Sequence, residues 1–316
     1  MTEKIRIGVS SCLLGNEVRY DGGHKRDRYI TDVLGAYMEF VPVCPEVEAG
    51  FGVPRETLRL EGGLDAPRLV TTKTRIDHTD RMLAYARRRV RELDGEALCG
   101  FIFKKGSPSS GMTRVKVYTG KGQPVARGVG LFARAFMAYF PLLPAEEEGR
   151  LHDPVIRENF IERIFTLKRW RDCLGDGTKF GRLVSFHTRH KLLILSHSPK
   201  AYQAMGRLAA QGKPRDATAV FKEYEQLLMG ALSLNATVKK HVNVLQHMAG
   251  YFKKMLSSDE KKELQELIDR YHRALVPLIV PVTLINHYVR KYDQAYLKEQ
   301  VYLNPHPVEL KLRNHV

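Results

Sequence analysis

The chain has 316 residues, 43% of them hydrophobic, and a mean hydropathy of −0.31, which allows two ordinary domains with real cores and excludes a compositionally disordered protein. A formal charge of +16 and a pI near 9.7 suit a polyanionic partner, either nucleic acid or an anionic surface. Four cysteines are too few for a disulfide scaffold, so each either packs or carries chemistry.

The first half reads as α/β, with a mostly parallel sheet and flanking helices. Short apolar runs at Lys4–Ser10, Glu39–Cys44, Leu98–Phe103 and Arg114–Tyr118 predict strands. Helices are expected at Arg28–Tyr37, Asp77–Leu93 and Gly130–Phe140. The run Pro141–Gly149 (PLLPAEEEG) is a candidate boundary, giving a catalytic α/β domain at 1–148 and a basic helical domain at 149–316. Helical patterns follow at Pro154–Cys173, His187–Leu208, Arg215–Met229, Thr237–Met255, Asp259–Leu275 and Val282–Lys291, and Ser257 with Glu260 forms a capping box. The longest apolar run, near Leu275–Ile285, is broken by two prolines and is too short to span a bilayer. The N-terminal MTEKIRIGVSSCLLG lacks the apolar segment of a signal peptide, so a cytoplasmic protein with no membrane association is expected.

Charge is divided unevenly. Residues 1–150 carry 24 Lys+Arg against 19 Asp+Glu, a net of +5, and residues 151–316 carry 27 against 16, a net of +11. The helical half also holds ten of the twelve histidines. A polyanion-binding half joined to a catalytic half is the expectation, with no obligate protein partner evident.

Three of the predicted strands end in loops that bear reactive residues. The first loop holds Cys12, the second Cys44 and Glu46, and the third Lys104, Lys105, Ser107 and Ser110. In an open parallel sheet ligands bind beyond the carboxyl ends of the strands, so these residues are expected to converge although they are distant in sequence. Thiolates there suit soft metal chemistry, and a carboxylate beside them offers proton transfer.

Residues 1 to about 145 resemble the TudS family of thiouracil desulfidases through SSCLLG with RYDGG, then VCPEVEAGFGVPRE, then FIFKKGSPSSG. The pieces HTRHKLLILSHSPKAY and YVRKYDQAYLKEQVYLNPHPVEL resemble the helical domain often fused to it, an architecture similar to the RudS desulfidases of tRNA 4-thiouridine. The resemblance implies a [4Fe-4S] cluster held by three cysteines, with one iron open to the substrate's sulfur. Cys12 and Cys44 match the first two ligands, Glu46 the acid/base carboxylate and Ser107 the catalytic serine. The family's SPSCG reads SPSSG here, which puts Ser110 at the third ligand position. Ser110 as an alkoxide, a centre with only two protein thiolates, or recruitment of Cys99 or Cys173 are the alternatives. Cys99 falls at the far end of the predicted strand, about 26 Å from Ser107 at roughly 3.3 Å per residue.

The expected function is iron–sulfur-dependent removal of sulfur from 4-thiouridine in tRNA, with water supplying the oxygen. The alternatives are a desulfidase for free thiouracil and a nucleic-acid-binding protein whose cluster site is degraded. A base in folded RNA must leave its stack to reach the site, so basic residues are candidate RNA contacts: Arg87, Arg88, Arg89, Lys104, Lys105, Arg189, Lys191, Lys239 and Lys240, with Lys253 and Lys254 beside them. His187 with His190, and His241 with His247, lack a supporting ligand pattern and are expected to cap, pack or contact RNA. Tyr288, Tyr292, Tyr296 and Tyr302 recur at near-helical spacing, as a packed face does.

Overall fold

A computed structural model describes residues 4–119, 123–175, 177, 179–212 and 216–315. The chain divides into two compact units, Met1–Asp153 and Pro154–Val316.

The first unit is built on a parallel sheet of β1 (Ile5–Ser10), β2 (Met38–Val43), β5 (Gly100–Phe103) and β8 (Ala145–Glu147), in the order β2-β1-β5-β8. Ile7, Val9, Phe101, Ile102 and Phe103 are buried, so the central strands β1 and β5 read as largely apolar runs. Gly8 is required by packing, because a Cβ there would lie 2.3 Å from the Phe101 ring. The helix α2 (Thr79–Asp94) and α3 (Leu131–Tyr139) supply the apolar cover; Phe136 of α3 stands 4.6 Å from Phe101 and 5.5 Å from Phe103. A four-residue helix, α1 (Pro45–Glu48), follows β2.

A second sheet has the order β4-β3-β6-β7, from β3 (Leu58–Glu61), β4 (Arg68–Thr71), β6 (Val115–Tyr118) and β7 (Pro124–Gly128). Only β6 of these was expected from sequence. The segment predicted as a helix at Arg28–Tyr37 forms a π turn at Tyr29–Val33 and a 3-10 turn at Leu34–Ala36 instead.

The second unit is helical: α4 (Pro154–Leu174), α5 (Phe180–His197), α6 (Pro199–Ala210), α7 (Ala217–Leu232), α8 (Val238–Tyr251), α9 (Ser258–His272), α10 (Ile279–Lys291) and α11 (Ala295–Lys298). The single helix expected over His187–Leu208 breaks at Ser198 and Pro199. The Ser198 hydroxyl accepts from the Ala201 amide at 3.1 Å, and proline starts the new helix, where its missing N–H costs nothing. The capping box at Ser257 and Glu260 is formed. Trp170 and Tyr224 stack in the core at 5.1 Å. Among the described residues no helix is long and apolar enough to cross a membrane.

Candidate active site

The register that pairs Ser10 with Val43 and Val9 with Ile102 brings the carboxyl ends of β1, β2 and β5 to one edge. A cavity of about 240 Å³ opens there, and Cys12, Cys44, Glu46, Ser107 and Ser110 all line it.

Each loop is fixed by backbone chemistry. Cys12 sits in a 3-10 turn, Ser11–Leu14, that closes on Gly15 at φ +97°, a conformation glycine adopts without strain. Cys44 precedes Pro45, the first residue of α1. The Glu48 carboxylate accepts from the Cys44 amide at 2.7 Å and the Tyr85 hydroxyl at 2.7 Å, and pairs with Arg89 at 3.0 Å. Glu48 therefore ties the Cys44 loop to α2. The serine loop is fastened to the start of α3: the amides of Phe132 and Ala133 donate to the Ser109 carbonyl at 3.0 and 3.2 Å. Gly130 makes that approach possible, since a Cβ there would lie 2.5 Å from the Ser109 carbonyl oxygen.

Two residues with no role assigned from sequence complete the site. Arg55 donates from Nε to Glu46 Oε2 at 2.8 Å and from a second nitrogen to the same oxygen, and Arg55 Nη1 donates to the Val18 and Gly52 carbonyls at 3.0 and 2.9 Å. The other oxygen, Glu46 Oε1, accepts from the Ser109 hydroxyl at 2.8 Å. Ser109 Oγ lies 3.0 Å from Ser107 Oγ. A hydroxyl has one proton to give, and that of Ser109 goes to Glu46, so Ser107 must donate to Ser109. The result is a directed chain, Ser107 to Ser109 to Glu46, anchored at its far end by Arg55. Both signals were in the sequence, in GVPRE and SPSS, but the pattern did not say which serine touches the carboxylate.

Burial, followed by the neighbouring Cys44, pushes the Cys12 thiol up to about 11. Burial also raises the Cys44 thiol. Both are thiols at neutral pH and must shed a proton to bind a metal, so loading would release protons. Cys99, immediately before β5, is outside the cavity lining and its thiol faces the Ala97 carbonyl at 4.0 Å. Cys173 lies in the other unit, with its thiol 3.6 Å from the Arg182 carbonyl. Among the described residues no three His, Cys, Asp or Glu side chains converge on one point. The cavity thus offers two thiols and, at the position of a third, the buried Ser110 hydroxyl, so these residues do not make a three-thiolate cradle.

The basic candidates are dispersed. Lys104 and Lys105 line the cavity, and Lys104 pairs with Glu148. Arg87 is exposed, Arg88 pairs with Glu92 at 3.3 Å, and Arg89 is taken up by Glu48. In the helical unit Arg189 and Lys239 are exposed, and Lys191 stands over the Tyr296 ring at 4.9 Å. Lys240 caps the end of α5 by donating to the His197 carbonyl at 2.6 Å. Three of the four candidate histidines pack, His187 pairing with Tyr224 at 3.1 Å, His190 with the Phe186 carbonyl at 2.8 Å, and His241 with Tyr302 at 2.9 Å, and the fourth, His247, is exposed. Tyr288 and Tyr302 are buried, Tyr292 donates to Glu260, and Tyr296 stacks on Tyr251 at 4.8 Å.

A thiol-lined cavity beyond the carboxyl ends of a parallel sheet, joined in one chain to a helical unit, defines the class of protein. Residues 7–148 match the 2-thiouracil desulfurase family, and residues 191–307 match a family described as a protein of unknown function, DUF1722. Two relatives are 34% identical to the chain. The uncharacterized protein YbgA of Escherichia coli strain K12 aligns over 158 residues, 50% of this chain and 94% of its own length. The uncharacterized protein YbbK of Bacillus subtilis strain 168 aligns over 117 residues, 33% of this chain and 72% of its own. Among solved structures, a [4Fe-4S]-dependent thiouracil desulfidase, TudS, is 28% identical, with 48% of this chain and 95% of that one covered and a TM-score of 0.40. The chain belongs to the 2-thiouracil desulfurase family and carries a DUF1722 region after that domain.

Proposed function

We propose that the protein converts a thiolated uracil, 4-thiouridine within tRNA, to the oxo base, with water supplying the oxygen and sulfide leaving. The observation that carries this reading is the convergence of Cys12, Cys44 and the Ser107–Ser109–Glu46 chain on one cavity. Cys12 and Cys44, with Ser110 at the third corner, are the residues that would hold an iron–sulfur cluster. When bound, the cluster supplies a thiophilic Lewis acid for the C=S sulfur.

The chain's own residues handle the proton. The Ser107 hydroxyl is hydrogen-bonded through Ser109 to a carboxylate, so a proton lost by water near Ser107 passes along two hydroxyls to Glu46 Oε1. Arg55 occupies the opposite oxygen, which leaves Oε1 as the receiving atom. Return of that proton to the departing sulfur balances the reaction: C=S and water become C=O and hydrogen sulfide. The net charge of +11 over residues 151–316 supports a polyanionic carrier for the base, because a small neutral base needs no such surface.

The test is anaerobic reconstitution with iron and sulfide, followed by nucleoside mass spectrometry of thiolated tRNA treated with the protein. Loss of 4-thiouridine with matching gain of uridine and sulfide is expected, and binding should weaken steeply as salt rises. Turnover of free thiouracil without turnover of tRNA would replace this reading with the narrower one. Absence of both activities in iron-loaded protein would overturn it.

A further inference from the structure

Tyr20 borders the cavity of the α/β unit and is, among the described residues, the one aromatic side chain that lines it. It is 40% exposed. A single exposed tyrosine is ordinary on a protein surface. What sets this one apart is how it is held and what lies beside it.

Residues 19–23 form a closed turn. The Arg19 amide donates to the Gly23 carbonyl at 3.1 Å, the Gly22 amide to the Arg19 carbonyl at 3.0 Å, and the Gly23 amide to Asp21 Oδ1 at 3.1 Å. The Tyr20 carbonyl accepts from the Arg55 amide at 2.9 Å. The Val18 carbonyl accepts from Arg55 Nη1 at 3.0 Å and lies 3.8 Å from the Cys44 thiol. Arg55 is also the clamp on Glu46. The backbone of Tyr20 is therefore tied to the same residue that holds the site's carboxylate, two positions from the carbonyl that meets Cys44. Over the ring lies the Arg19 guanidinium, 5.3 Å from its centroid, and no other ring or cation stands against it among the described residues. One face is covered and the other is open.

A thiolated pyrimidine is a flat ring whose C=S lies on its edge. Stacking grips a base by its face and leaves the edge atoms free. The rest of the lining offers thiols, hydroxyls, charges and aliphatic groups, none of which presents an aromatic face. A base extruded from RNA has lost its stacking neighbours, and an aromatic side chain returns part of that loss. We propose that Tyr20 is the stacking platform for the substrate base, holding the pyrimidine by its face while the C=S edge turns toward the thiols and Ser107. This rests on the reading that a thiolated uracil occupies the cavity.

The test uses the full chain and two variants, Tyr20→Leu, which keeps an apolar side chain without the ring, and Tyr20→Phe, which keeps the ring without the hydroxyl. Equilibrium dialysis of 4-thiouridine against iron-free protein should show saturable binding that Tyr20→Leu weakens about tenfold and Tyr20→Phe restores. In reconstituted protein Tyr20→Leu should raise KM for thiolated tRNA about tenfold, with kcat and iron content as in wild type, because a stack holds substrate and transition state alike. No saturable binding of 4-thiouridine, equal binding by Tyr20→Leu and wild type, or equal weakening by both variants overturns the proposal. Ring-dependent binding in an iron-loaded chain that desulfurises nothing would keep the stack and remove the desulfidase reading. Turnover with a KM indifferent to Tyr20→Leu would do the reverse.

Discussion

The two units each hold a cluster of charged and hydroxyl groups, and the surroundings of those clusters differ. In the α/β unit Glu46, Arg55, Ser107 and Ser109 border an open cavity, with two thiols beside them. In the helical unit Glu162 meets His197 at 2.9 Å and Arg313 at 3.0 Å, with side chains 2–4% exposed. Arg313 also donates to the Tyr302 carbonyl at 2.6 Å, and its amide donates to Glu158 at 2.9 Å. The first cluster leaves an oxygen of a hydroxyl chain next to empty space, and the second spends its charges on one another across α4, α5 and the C-terminal segment. Similar residues therefore border a cavity at a sheet edge and fasten chain segments in a helical core.

Substitutions should separate the two. Cys44→Ala has the largest expected effect: iron bound after anaerobic reconstitution falls to background, measured by metal and sulfide analysis, and retention of wild-type iron would remove Cys44 from the ligand set. Glu46→Gln keeps the shape and removes the charge. It should lower turnover by about 10²–10⁴-fold with iron content unchanged. Arg313→Met should leave the α/β unit folded and cost the helical unit about 3–5 kcal/mol, because Glu158 and Glu162 lose their buried counter-charge. The chain's one tryptophan, Trp170, is in that unit, so its fluorescence in urea reads the loss.

Acid should divide the units more gently. Burial lowers His187 and His306 from 6.5 to about 4, and His190 and His241 to about 3. The unfolded chain takes up protons at these sites below 6.5 and the folded chain does not, so helical stability falls as pH drops from 6.5 toward 3. Glu158, raised by burial to about 7, acts the other way: its contribution is full below 4.5 and is lost as pH rises through 7. Four histidines outweigh one carboxylate. Glu162 is pushed up by burial, yet His197 and Arg313 hold it at about 2, so its contribution is present above 4.5 and goes only as pH falls through 2. In the α/β unit the Glu61 carboxylate is held low by Arg75 and Arg59, and that stabilisation is also lost only below 4.5. Trp170 fluorescence should therefore report unfolding at a higher pH than the α/β unit does, and simultaneous transitions would refute the distinction. Ser109→Ala is the mildest, with turnover down about 10-fold from interruption of the hydroxyl chain and stability nearly unchanged.

How much of this was legible in the sequence follows from burial. The strands β1 and β5 are buried along almost their whole length and read as apolar runs, and the edge strand β2 keeps Met38, Val41 and Val43 buried while Glu39 and Pro42 face out. The strands β3 and β4 have four residues each, with Arg59, Glu61 and Arg68 among them, too short and too charged to register. The five site residues named from three loops do line one cavity. Arg55 and Ser109 were quoted in those loops without a role, because only the fold shows that one side chain clamps Glu46 and the other links it to Ser107. The Glu162–His197–Arg313 cluster gave no signal at all, since its members are brought together by helix packing from distant positions.

The fastening of the serine loop to α3 has a further meaning. A hydroxyl chain conducts protons only while its oxygens keep their spacing, and displacements near 1 Å can cost catalysts about 10²-fold. Here that spacing depends on the Ser109 carbonyl lying against two helix amides over the bare Cα of Gly130. In the proposed reaction, proton transfer would therefore depend in part on a residue with no side chain to offer, and drift at Gly130 would interrupt it while every reacting group stayed in the sequence.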